Sequence, residues 1–91
     1  MRIAILSPVW FRVPPTGYGG IESVVSLLAD GLADAGHDVT LFASGDSHTR
    51  AKLAGVFPEA PSDRIGYSWI DLRHAVSCYE RADEFDVVND H

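Results

Sequence analysis

The chain reads as an α/β domain built on a parallel sheet with flanking helices. Ile3-Ala4-Ile5-Leu6 is a continuous apolar run closed by Ser7-Pro8, the pattern of a parallel strand covered on both faces. Ile21, Val24, Val25, Leu28 and Leu32 then recur at helical spacing. Asp38-Val39-Thr40-Leu41-Phe42-Ala43 is a second strand-like run. Two buried strands joined by one helix make a βαβ unit, whose crossover is almost always right-handed.

The first strand is predicted over residues 2–7. A long loop follows over residues 9–20, rich in proline and glycine. The first helix is predicted over residues 21–35. Glu22, Ser23, Ser26, Asp30 and Asp34 are expected mostly on its polar side, with Glu22 in the first turn, where the helix dipole favours an acid. Gly31 inside this helix costs about 1 kcal/mol relative to alanine, which close packing of helix on sheet would offset. Gly36 suits the position that ends the helix. The second strand is predicted over residues 38–43, then a turn at Ser44-Gly45-Asp46-Ser47 and a short helix over residues 49–54. Residues 55–67 carry Pro58 and Pro61 and hold at most a short edge strand near Val56-Phe57. A second helix is predicted over residues 69–83, capped by Ser68. Trp69, Leu72, Val76 and Tyr79 form its apolar face, extended by Ala75 and Ala82 and read as core. Phe85-Asp86-Val87-Val88 is the last strand, expected beside the first.

Ninety-one residues suffice for one small domain, with 46% hydrophobic and 22% charged residues. The net charge of −6 argues against general nucleic-acid binding, which wants a basic face. Cys78 is alone, so an internal disulfide is ruled out; its plain reading is a small apolar helix residue. A reducing, cytoplasmic compartment fits. No apolar stretch approaches a membrane span, and Met1-Arg2 leads at once into a strand rather than a signal peptide.

Gly17-Tyr18-Gly19-Gly20-Ile21-Glu22 is the most informative stretch. Glycines stand where a helix usually begins with Ser, Thr, Asp or Asn. Uncapped N–H groups suit a phosphate or another anion, and glycines let a ligand approach the backbone. The alternative is that the glycines only shape the turn. The run departs from the dinucleotide fingerprint: Glu22 takes the place of its last small residue, and the preceding loop is long. Asp46, a little beyond the second strand, is a weak candidate for a ribose. His91 ends a predicted strand, and ligands of open α/β sheets bind beyond the carboxyl ends of the strands. Beside the first strand, it would face the glycine loop across a crevice. His37, His48 and His74 have no metal-site spacing, so neither a metal nor a resident cofactor is expected. Trp10-Phe11-Arg12-Val13 reads either as an acceptor or peripheral membrane contact, or as a loop tucked over its own domain.

Together these residues resemble the N-terminus of group 1 glycosyltransferases, retaining nucleotide-sugar-dependent enzymes of the GT-B fold often called family four. The likeness lies in Arg2-Ile3-Ala4-Ile5-Leu6-Ser7, the proline-rich loop and Gly19-Gly20-Ile21-Glu22. It continues through Leu28-Ala29-Asp30-Gly31-Leu32 and Gly36-His37-Asp38-Val39-Thr40-Leu41-Phe42 to Phe85-Asp86-Val87-Val88-Asn89-Asp90-His91. Only residues 55–67 match weakly. The resemblance implies a Rossmann-like sheet, the first part of a GT-B N-terminal domain. Residues 1–91 would form the acceptor side, and a C-terminal domain carrying an E-x7-E motif would bind most of the donor. Gly19 and Gly20, flanked by Gly17 and Tyr18, would lie at the donor's diphosphate and sugar. His91 would border the reacting centre as the catalytic candidate. Asn89 departs from the histidine often found two positions earlier in the family.

The partners so implied are a nucleotide-sugar donor and an acceptor of unknown kind. The chain alone is expected to be inactive, since Arg12 is the one loop cation near the glycines. It is also expected to self-associate through an unpaired strand edge or bare sheet face. Two other readings stand: a nucleotide-binding oxidoreductase domain, disfavoured by Glu22 and the long first loop, and a non-catalytic self-associating α/β module.

Overall fold

The computed structural model describes residues 1–17 and 19–91. Its elements are β1 (Arg2–Leu6), α1 (Gly20–Asp34), β2 (Asp38–Phe42), β3 (Lys52–Ala54), α2 (Ser68–Tyr79) and β4 (Val87–Asp90), with single 3₁₀ turns at Ser62–Arg64 and Ala82–Glu84. The strands form one sheet of order β3-β2-β1-β4, parallel throughout. The chain is therefore an α/β protein with a Rossmann-like parallel sheet and flanking helices. The last strand does lie beside the first, with Ile3 opposite Val87 and Leu6 opposite Asp90.

The two-residue period of β1 divides its side chains between two cores. Ile3 and Ile5 join Val39, Leu41 and Ala43 beneath Val25 and Ala29 of α1. Ala4, Leu6 and Phe42 face the other way, onto Cys78 of α2. There Phe42 meets Phe85 edge-on, with ring centroids 5.9 Å apart, and the Arg81 guanidinium lies 5.3 Å from the Phe42 ring centre. Covered on both faces, β1 needs the unbroken apolar run that it has.

The first helix packs Val25, Leu28 and Leu32 of its predicted apolar face against the core but not Ile21 and Val24, and the second is rotated from the face predicted for it. In α1, Glu22 is only 5% exposed, whereas Ile21, Val24 and Leu27 face outward. The glycine loop folds back over the first turn, where Glu22 and Pro15 both pack beside Gly19. In α2, the predicted core stripe of Trp69, Leu72, Val76 and Tyr79 is exposed, and Ile70, His74, Ser77 and Cys78 are buried. The buried stripe combines small side chains with a histidine that hydrogen-bonds to the end of β1, so the helix docks on it. Ser68 is the first residue of α2 and not its cap; Tyr67 occupies the cap position without a side-chain bond. The regular helix also ends at Tyr79 rather than running through residue 83.

Residues 49–54 form no helix. Asp30 accepts from the Thr49 hydroxyl and the Arg50 N–H, both at 2.9 Å, and Asp34 takes the Arg50 guanidinium. These bonds from α1 deliver Lys52–Ala54 to the edge of β2 as β3, slightly ahead of the edge strand expected near Val56. Gly55 permits the junction, because a Cβ there would run into the Ala43 carbonyl oxygen.

Candidate functional site

The loop after β1 is pinned to the loops that follow β2 and β3. Val9 and Val13 are fully buried. Val13 N–H donates to Ser47 Oγ at 2.9 Å, His48 N–H donates to the Val13 carbonyl at 2.7 Å, and Ser62 Oγ donates to the Trp10 carbonyl. Of the two readings of Trp10-Phe11-Arg12-Val13, the structure shows the loop packed over its own domain.

This packing brings the glycines to the start of α1. Gly19 is its N-cap, with no side-chain cap, and its carbonyl accepts from Ser23 N–H at 3.0 Å. The two adjoining glycines differ physically. A Cβ at Gly19 would lie 2.8 Å from Pro15 Cβ and 3.0 Å from Glu22 Oε1, whereas one at Gly20 or Gly17 would meet nothing within 4 Å. Gly19 is thus required by the turn, while the space beside Gly20 is open to a ligand. Tyr18 lies outside the described residues.

His91 stands at the carboxyl end of β4. Its N–H donates to the Leu6 carbonyl at 3.0 Å, which fixes it at the seam between β1 and β4. With strand order β3-β2-β1-β4, this seam is where the order reverses, the place where open α/β sheets hold ligands. A cleft of about 320 Å³ opens there, lined by Ser7, Trp10, Asp71, His74, Asp90 and His91 among others. The glycine loop borders a different cleft, of about 370 Å³, lined by Arg12, Thr16, Gly17, Asp46 and Ser62 among others. Both lie at the carboxyl edge of the sheet, and neither is lined by Gly17 and His91 together.

His74 carries part of this architecture and was read from the sequence only as a helix residue without metal-site spacing. It is 2% exposed, and its Nε2 lies 2.7 Å from the Ser7 carbonyl. Two lone pairs would repel at that distance, so Nε2 carries the proton. Nδ1 is then the acceptor of the neutral ring, shielded from solvent and without a partner. Burial pushes the imidazole below its ordinary pKa, against the opposing pull of the Ser7 carbonyl, Asp71 and Asp90. Its position on one stripe with Ile70 and Cys78, four residues to either side, was the available signal. Tyr79 Oη donates to Asp90 Oδ2 at 2.7 Å, which raises the phenol pKa and orients the carboxylate.

The residue set is that of an uncapped helix start, an open glycine backbone and a histidine at the topological switch point. The uncapped helix start can bind an anion, and the histidine at the switch point can hydrogen-bond to a ligand in its own cleft. Among the described residues, no helix is long and apolar enough to cross a membrane.

Residues 18–91 match the model of "Glycosyltransferase Family 4". A phosphatidyl-myo-inositol mannosyltransferase from Mycolicibacterium smegmatis is 42% identical over 50 residues, which is 55% of this chain and 12% of that protein. The matched part is thus a small fraction of the relative's length. The family model covers most of the chain, from the glycine loop through all the later strands to the terminal histidine, and the chain belongs to glycosyltransferase family 4.

Proposed function

We propose that the chain is the acceptor-side part of the N-terminal domain of a retaining GT-B glycosyltransferase that uses a nucleotide-sugar donor. The observation that carries this reading is the placement of His91 at the β1–β4 switch point of a family 4 chain. The mannosyltransferase match supports sugar transfer as the reaction class. In this account an acceptor hydroxyl oxygen bonds to the anomeric carbon as the bond from that carbon to the diphosphate breaks, and the hydroxyl proton passes to the departing diphosphate oxygen. The diphosphate leaves with the electron pair. The uncapped N–H groups of α1 stabilise its charge, and Gly20, with Gly17 and Tyr18 a little earlier in the chain, leaves room for it. Gly19 holds the turn that presents them. His91 contacts the sugar at the reacting centre.

Donor binding needs more positive charge than this chain offers, because Arg2, Arg50, Lys52, Arg64 and Arg81 are already paired with carboxylates. The 91 residues alone are therefore proposed to be inactive, with a second domain supplying most of the nucleotide-sugar site. We place the reaction in the cytoplasm, where nucleotide sugars are available. The isolated chain is proposed to self-associate, since β3 and β4 are both sheet edges and α2 exposes an apolar stripe.

The test is a donor screen on the full-length protein. Purified protein is incubated with a panel of nucleotide sugars and acceptor extracts. Release of nucleoside diphosphate is measured, and the product's anomeric configuration is read by NMR. One donor should be turned over with its configuration kept. Product of inverted configuration would remove the retaining mechanism, and no turnover of any donor would count against transfer itself.

A further inference from the structure

The cleft beside the glycine loop contains a cation whose partner the fold does not supply. Among the described residues, five bases meet a carboxylate and Arg73 does not: Arg2 with Asp86, Arg50 with Asp30 and Asp34, Lys52 with Asp38, Arg64 with Asp63, and Arg81 with Glu84. Arg12 forms no such pair, and its Nε is shielded from solvent without a hydrogen-bond partner. A guanidinium partly removed from water and left unpaired is costly, so it marks a place where an acceptor group belongs. Its backbone is held on both sides: Trp10 receives the Ser62 hydroxyl, and Val13 bonds to Ser47 and His48. The guanidinium is thus mounted on a fixed loop beside Thr16, Gly17 and Ser62, in a cleft of about 370 Å³.

Asp46 lines the same cleft, yet it stands outside ion-pair distance of Arg12. One of its oxygens accepts from Ala60 N–H at 3.2 Å, which fixes the carboxylate after β2. Two opposite charges on one cleft that do not neutralise each other suit a ligand with both kinds of group. Planar guanidinium donors match phosphoryl oxygens, and a carboxylate accepts from hydroxyls. The cleft lies on the β2–β3 side of the first loop, whereas His91 lies on its β4 side.

We infer that Arg12 and Asp46 form a subsite for a phosphorylated polyol, with the guanidinium on the phosphoryl group and the carboxylate on a neighbouring hydroxyl. The inference rests on the transferase reading only for the origin of that ligand. The phosphoryl group could belong to the acceptor or to the donor's diphosphate.

Titration calorimetry on the full-length protein distinguishes these cases, with glucose 1-phosphate, inorganic phosphate, uridine and guanosine diphosphates and glycerol as probes. Glucose 1-phosphate should bind more tightly than inorganic phosphate, and glycerol should not bind measurably. Arg12→Gln should weaken glucose 1-phosphate at least tenfold, as expected for loss of a charge-assisted hydrogen bond. Arg12→Lys should weaken it less. Asp46→Asn should shrink the preference for glucose 1-phosphate over inorganic phosphate. Loss of sugar phosphate binding in Arg12→Gln with unchanged diphosphate binding assigns the subsite to the acceptor. Loss of diphosphate binding assigns it to the donor. Equal binding of every probe by wild type and a folded Arg12→Gln protein overturns the inference. A protein that transfers no sugar but loses phosphate binding on Arg12→Gln refutes the transferase reading and leaves the subsite standing.

Discussion

Alanine substitution at the two adjoining glycines separates turn-shaping from ligand access. At Gly19 the new methyl group would sit 2.8 Å from Pro15 Cβ, 3.0 Å from Pro15 Cγ and 3.0 Å from Glu22 Oε1. Carbon atoms in contact normally sit about 3.5–4.0 Å apart, so the loop or the first turn of α1 must move. Overpacking of this kind costs about 1–3 kcal/mol. For a domain of this size, 1 kcal/mol moves Tm by about 4–8 °C, so Gly19→Ala should lower it by roughly 4–24 °C. At Gly20 the methyl group meets no heavy atom within 4 Å. Alanine there narrows the unfolded ensemble and stabilises by up to about 1 kcal/mol, a rise of zero to about 8 °C. Differential scanning calorimetry reads both effects. Transfer by the full-length protein should follow the reverse logic at Gly20: valine keeps the fold but fills the space that the donor's approach requires, and turnover should drop at least tenfold. Equal Tm values for the two alanine variants would refute the steric argument. Undiminished transfer by Gly20→Val would show that this glycine only shapes the turn.

Other substitutions probe the remaining elements. Gly55→Ala should loosen β3, because its methyl group would run into the Ala43 carbonyl; hydrogen exchange at the Ala43 amide, which bonds to Ala54, should accelerate. His74→Ala strands the buried Ser7 carbonyl and opens a cavity, so denaturant titration should show a loss of about 2–4 kcal/mol. Because burial depresses the folded pKa of His74, its neutral form is favoured in the native state. That contribution is fully present above the unfolded pKa of 6.5 and declines as pH falls through the lower folded pKa, so stability should drop below pH ~6.5 in wild type and less steeply in His74→Gln. Replacing Leu72 by Lys on the exposed stripe of α2 should shift the isolated chain toward monomer in sedimentation with little change in Tm, and unchanged association would point to the strand edges instead.

The sequence revealed those elements whose pattern was set by burial on both faces or by plain punctuation. β1 and β2 are continuous apolar runs, α1 ends at a suitable glycine, and β4 begins at Val87, two residues later than Phe85-Asp86-Val87-Val88 indicated. The rotation of α2, and the burial of Glu22 in α1, were hidden because hydrophobicity alone does not select the docked face. Trp69, Leu72, Val76 and Tyr79 have correct helical spacing, but the docked face is chosen by close approach and by the His74–Ser7 hydrogen bond, which hydropathy does not record. β3 was hidden because Lys52-Leu53-Ala54 is too short for a pattern, and its place is set by Asp30 and Asp34, some twenty residues away. At the site, the glycine stretch and His91 were legible from their positions at element ends. The unpaired state of Arg12 was not, since pairing depends on which carboxylates the fold brings near.

The central claim is that His91 acts at the reacting centre of a sugar-transferring site at the β1–β4 seam. The most direct test is steady-state transfer by the full-length protein carrying His91→Ala, with Tm measured on the same sample. The side chain is exposed at a strand end, and its backbone bond to Leu6 survives the substitution, so Tm should be unchanged. Turnover should fall about a hundredfold or more, the lower end of the range for loss of one positioned catalytic group. A folded His91→Ala protein with wild-type turnover would contradict the account.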